Sequence, residues 1–247
     1  MPLRIAFDLD GVLADMDSEL MRQSKILFGE SVTGRLPERA EDGNTAVAPD
    51  GGEGDSDDPH SSGTLPVIPL NLTRRQERRL WQHLRSIDNF WEGLDEIEPG
   101  AVRRLASLAV DRRWEIIFLT KRPETAGATA QMQTQRWLES KGFTLPSVFV
   151  VQGSRGRIAS SLGLDFVVDD RPENCLDVVV DSESRAILVW RAVESQPPTA
   201  TQRLGIRLVA SVAECLEMLI QLDSTPTKEP GVVSRVMRLL GRKAPAQ

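Results

Sequence analysis

The chain is poor in the residues that build disulfides and soft-metal centres. Of its 247 residues only Cys175 and Cys215 are cysteine, and only His60 and His83 are histidine. Two cysteines imply no disulfide framework and fit a reducing, cytoplasmic setting. So few histidines exclude a histidine-rich zinc or iron site, so any metal is expected to be a hard cation held by oxygen. No early apolar run approaches the roughly 20 residues of a membrane span. The first residues also lack the basic-then-apolar order of a signal peptide. No transmembrane segment is expected.

What is present describes an ordinary soluble globular protein, with 40% hydrophobic and 27% charged residues. The length suits one domain plus an insertion. The net charge of −6 is localised. Residues 37–63 hold Glu38, Glu41, Asp42, Asp50, Glu53, Asp55, Asp57 and Asp58 against Arg39 alone, which leaves the rest of the chain close to neutral. The same stretch is rich in glycine and has almost no large apolar residues. Its composition cannot offset ordering entropy, which predicts disorder over about 31–66. A loop so long belongs in an insertion away from the core.

Around that stretch, strand-like and helix-like patterns alternate. Strands are expected at 3–9, 114–119 (ending at Thr120), 147–151, 165–169, 185–190 and near 206–209. Helices are expected at 13–28, from Thr73 through Ile87, and at 99–111, 124–141, 155–162, 172–181 and 211–222. Thr73 with Gln76 forms a capping-box signature, and Leu80, Trp81, Leu84 and Ile87 follow at helical spacing. The alternation predicts an α/β fold with a doubly wound, mainly parallel sheet and right-handed crossovers.

Three strand ends carry the chemistry. The first run closes in Asp8-Leu9-Asp10-Gly11, the second in Thr120 and the fourth in Asp169-Asp170-Arg171-Pro172. Residues i and i+2 of a strand share a face, so Asp8 and Asp10 are expected to aim at one spot, where they repel unless a cation joins them. Carboxyl ends of parallel strands converge at the ligand-binding edge of such a sheet. Gly153-Ser154-Arg155-Gly156-Arg157 adds fixed positive charge at a helix start. Carboxylates, a hydroxyl, a guanidinium and helix N-termini together suit phosphoryl transfer. Each part alone also reads as a turn, a cap or a solvated face.

In that order the motifs resemble the haloacid dehalogenase-like phosphohydrolases, and within them the 5′(3′)-deoxyribonucleotidase-like branch. The branch likeness rests on Phe7 to Leu13, Phe90-Trp91, Glu98 to Ala101, Phe118 to Pro123, Gln135 to Leu138 and Val167 to Asn174. The resemblance implies a Rossmann-like core of 1–13 and 96–223, a helical cap of 14–95 and a tail of 224–247. It implies Asp8 as nucleophile and Asp10 as proton donor and acceptor. Magnesium would be held by Asp8, the Asp10 backbone carbonyl and Asp170, with Asp169 supporting. Thr120, Lys121 and Arg155 would bind phosphate. Arg155 stands where the branch usually has lysine, and Arg157 is the alternative for that role.

The implied substrate is a small phosphorylated molecule, a nucleoside monophosphate by the branch and a sugar phosphate otherwise. A nucleic-acid polymer is not expected. Non-enzymatic readings, a phosphoacceptor module or a binding protein, fit less well: a receiver's accepting aspartate should end a middle strand, where Thr120 stands. Phe28, Trp81, Phe90 and Trp91 read as cap core, with stacking on a base as the alternative. Arg74, Arg75, Arg78, Arg79 and Arg85 read as a solvated helix face. The basic, apolar stretch Gly231–Arg242 reads as a tail helix.

Overall fold

A computed structural model describes residues 2–29, 72–191 and 196–224. The expected disorder over 31–66 and the tail helix lie outside these residues. Among them, six strands form one parallel sheet: β1 (Arg4–Asp8), β2 (Glu115–Thr120), β3 (Ser147–Val150), β4 (Phe166–Asp169), β5 (Arg185–Val189) and β6 (Arg207–Val209). Their order is β3-β2-β1-β4-β5-β6. The chain winds outward from β1 in one direction, then returns to β4 on its other side. That reversal puts the topological switch between β1 and β4, where a doubly wound sheet opens a crevice at its carboxyl edge. In register, Phe7 faces Phe118 of β2 and Val168 of β4, so Asp8 and Asp169 are the next residues at the mouth of the crevice.

The strands form because their runs are apolar on both faces, as a sheet covered by helices on both sides requires. One face carries Ala6, Ile117, Leu119, Val167, Ala186 and Leu188, packed on Ala159, Cys175 and Val178 from helices α5 (Arg155–Leu162) and α6 (Pro172–Asp181). These two helices approach closely at Gly156, where a β-carbon would stand 2.1 Å from the Asp177 carbonyl oxygen. The other face holds Ile5, Phe7 and Phe118, with Phe118 edge-on to Phe143 at 4.9 Å.

After β1 the chain makes a tight turn into α1 (Met16–Phe28). This helix begins three residues later than its apolar pattern predicts, because the Asp15 carboxylate accepts from Ser18 N and caps it there. Residues 13–15 run beside 95–97: Asp15 N donates to Asp95 O, and Ile97 N to Leu13 O. Between these crossings lie α1 and α2 (Arg74–Ser86), the latter opened by the Thr73–Gln76 capping box. Leu20, Leu80, Trp81 and Leu84 are buried, and His83 Nε2 meets Gln23 Oε1 at 2.9 Å.

Helix α3 (Ala101–Arg112) precedes β2, and α4 (Ala130–Ser140) follows it. The expected helix from 124 is a correction: residues 121–129 form a loop. Pro123 interrupts the chain, Gly127 takes a φ of 92°, and Thr129 caps the helix that follows. A five-residue helix, α7 (Thr199–Arg203), is too short to have shown a period in the sequence. Helix α8 (Val212–Ser224) comes last. Residues through Cys215 belong to one compact unit, and α8 from Leu216 onward to a second.

Candidate active site

The switch point gathers three carboxylates. One oxygen each from Asp8, Asp169 and Asp170 lie within 4.8 Å of one another. Asp8 ends β1, Asp169 ends β4, and Asp170 begins the turn into α6. Their crowding depends on Gly11, whose φ is +85°. A β-carbon there would stand 2.1 Å from Asp170 Oδ2 and 2.5 Å from its Cγ. Gly11 therefore makes the turn and also leaves room for a carboxylate.

Asp169 is fully buried, and donors hold both its oxygens. Asn174 Nδ2 reaches each at 3.0 Å, and Arg171 N reaches Oδ1 at 2.9 Å. Arg155, the first residue of α5, places Nη2 2.5 Å from Asp8 Oδ1. Its Nε lies 3.7 Å from Asp169 Oδ2, an ion-pair distance too long for a hydrogen bond. Arg155 Nε and Nη1 are buried without a hydrogen-bond partner. Such orphaned charged donors are costly to bury, and oxygen-rich anions are the acceptors that match a guanidinium. Arg157, the alternative for this role, is exposed to solvent.

Burial favours the protonated form of each of the three acids. Burial, then the Asp169 charge, keep Asp8 well above the ordinary carboxylate range against the pull of Arg155. Burial and Asp169 likewise push Asp170 up to about 8. Burial raises Asp169 too, opposed by Arg155 and the Asn174 hydrogen bonds. Three oxygen donors in one cleft, with repulsion to relieve, fit a small hard divalent cation.

Asp10 does not join this cluster. Strand β1 stops at Asp8, so the shared-face rule does not extend to it. Its carboxylate instead takes Arg122 Nη2 at 2.7 Å and Nε at 3.0 and 3.1 Å. Thr120 Oγ1 lies 3.5 Å from Asp10 Oδ2, so Thr120 stands beside Asp10 at the end of β2. Lys121, the next residue, is half-buried with no hydrogen bond or ion pair to the cluster. Arg122 lies within the Phe118 to Pro123 stretch that carries the branch resemblance, but the sequence reading assigns it no role.

The four aromatic residues with base stacking as their alternative role are mostly enclosed. Trp81, Phe90 and Trp91 are buried, and Phe28 is half-buried beneath the Arg79 guanidinium. Cys175 is buried, and burial and the nearby acids push its thiol up, away from reactivity.

No family model and no curated protein matches the chain. Solved structures do. A HAD family hydrolase from Deinococcus radiodurans R1, crystallised with bound phosphate and sodium, superposes with a TM-score of 0.53 at 15% identity. The match covers 89% of this chain and 96% of that one. A putative β-phosphoglucomutase from Thermotoga maritima gives 0.51 at 18% identity, over 89% and 99%. At such identities the likeness speaks to architecture: the chain has the haloacid dehalogenase-like fold.

Proposed function

We propose that the protein is a divalent-metal-dependent phosphomonoester hydrolase that works through an aspartyl-phosphate. The observation that carries this reading is the meeting of the Asp8–Asp169–Asp170 cluster with two orphaned donors of Arg155. Charge-paired phosphate oxygens are a natural acceptor for such a guanidinium fork. The fold, shared with a hydrolase crystallised with phosphate, agrees with it.

In this reading Asp8 attacks phosphorus while Asp10 protonates the departing oxygen. Asp10 then takes a proton from the water that cleaves the aspartyl-phosphate, which frees phosphate and restores both acids. Arg155 and Thr120 hold the phosphoryl oxygens. Asp8, Asp170 and the Asp10 carbonyl would hold magnesium, with Asp169 behind them fixed by Asn174 and Arg171. The ion would keep Asp8 ionised and offset the phosphate charge.

The substrate we favour is a nucleoside monophosphate, from the branch resemblance. One observation favours a sugar or other small phosphate instead: three of four cap aromatics are closed within the protein and offer no face to a base. The cap assignment of 14–95 is part of the same proposal, supported by paired crossings at 13–15 and 95–97. Phosphate release across nucleoside monophosphates and sugar phosphates, with and without magnesium, tests it. Activity that survives chelation or Asp8→Asn removes the mechanism. Hydrolysis of sugar phosphates alone removes only the nucleotide assignment.

A further inference from the structure

The Arg122 guanidinium is fully enclosed, and its acid partner is not. The Arg122 side chain has no exposure, whereas that of Asp10 keeps 20%. Every guanidinium nitrogen is committed: Nε and Nη2 to Asp10, Nη1 to Thr134 Oγ1 at 3.0 Å. Two indoles cover it, with Trp91 4.9 Å and Trp137 5.8 Å from its central carbon. The indoles are pinned in turn. Trp91 Nε1 donates to Pro123 O, and Trp137 Nε1 donates to Leu94 O at 2.7 Å. Gln133 Oε1 accepts from Trp91 N.

A charge sealed this thoroughly is costly unless its partner stays in place, so the cage fixes the pair in one geometry. The fixed member is the arginine; the member that keeps an exposed edge is the carboxylate. Asp10 would otherwise be a fourth acid beside a cluster that already holds three. Arg122 makes a carboxylate tolerable there and turns it away from the cluster.

We propose that Arg122 is the positioning residue for Asp10: its guanidinium holds the Asp10 carboxyl group apart from the cation-binding acids, aimed so that its protonated form gives the proton to the leaving oxygen and its ionised form takes one back from water. This rests on the phosphatase reading above. Arg122 touches no reacting atom; it acts through Asp10.

Leaving-group chemistry separates this role from simple structural damage. An alkoxide from a nucleoside or sugar must receive a proton as it departs, whereas p-nitrophenolate leaves without one. Through the specificity constant, which covers steps up to the aspartyl-phosphate, only the first kind of substrate needs a well-aimed Asp10. Arg122→Met should lower kcat/KM for the best alkyl phosphate about 100-fold, and for p-nitrophenyl phosphate less than about fivefold. Arg122→Lys, with charge but no fork, should fall between wild type and Arg122→Met. In an Asp10→Asn background, Arg122→Met should add almost nothing.

Thermal unfolding establishes which variants are folded; if Arg122→Met is not, Arg122→Lys carries the same comparison. Equal losses on both substrates in a folded variant, or additive losses with Asp10→Asn, overturn the positioning role alone. A wild type that hydrolyses neither substrate overturns the phosphatase reading, and this inference with it.

Discussion

Replacing Gly11 by alanine probes the cluster without touching any of its acids. Two costs can be worked out. The φ of +85° is one that an L-residue adopts at about 1–2 kcal/mol. The new β-carbon would also lie 2.1 Å from Asp170 Oδ2 and 2.5 Å from Asp170 Cγ, far inside contact distance. Asp170 is short, so it cannot simply bend its tip; the whole carboxylate must rotate out of the cluster. Urea unfolding in chelator should therefore show a loss of about 2 kcal/mol, mostly from the backbone. Calorimetric titration with magnesium should show affinity about 10–100-fold weaker, the usual cost of disturbing the groups that aim metal ligands. Wild-type magnesium affinity in a folded Gly11→Ala protein would refute the argument that Gly11 makes room for Asp170.

The remaining predictions follow the same contacts. Asp8 and Asp170 are acids whose folded values lie above their unfolded ones, so the folded state binds protons more tightly. The metal-free protein should lose stability as pH rises through about 8, the value for Asp170, and regain it as pH falls toward 5. Magnesium competes with those protons, so its effect on Tm should be larger at pH 8.5 than at about pH 6; a pH-independent effect contradicts the cluster. Glu98 has the opposite sign. Partial burial pulls it upward, but Arg191 and the N–H groups of Val212 and Ala213 hold it below its usual 4.5. Its contribution is present above pH 4.5 and lost as pH falls below it. Glu98→Gln should flatten that acid limb of the Tm profile. Gln133→Leu leaves Trp91 N and the Ala128 carbonyl without their partner. It should cost about 2–3 kcal/mol in urea unfolding, whereas a loss below about 0.5 kcal/mol would mean the cage around Arg122 does not need it.

Much of the fold was legible because its signals are local. Buried strands read as apolar runs, and the Thr73–Gln76 capping box announces its helix within four residues. The converging strand ends followed from a rule of parallel sheets. What escaped depended on distant partners. Asp10 looked like a twin of Asp8 until the strand ended between them and Arg122, more than a hundred residues on, took its carboxylate. Arg122 itself carries no local mark of burial; two tryptophans from separate segments create its cage. The loop over 121–129 lay hidden because Thr125, Ala126 and Ala128 are compatible with a helix, while a left-handed Gly127 and hydrogen bonds to Asn89 and Gln133 hold it open.

The central claim is that Asp8 carries the phosphoryl group. Mixing the protein with the best substrate found and magnesium, quenching in acid within milliseconds and mapping peptides by mass spectrometry tests it most directly. The account predicts an alkali-labile phosphoryl group on the peptide that carries Asp8, absent from Asp8→Asn. Steady phosphate release with that peptide unmodified at every quench time, or undiminished release by Asp8→Asn, would contradict it.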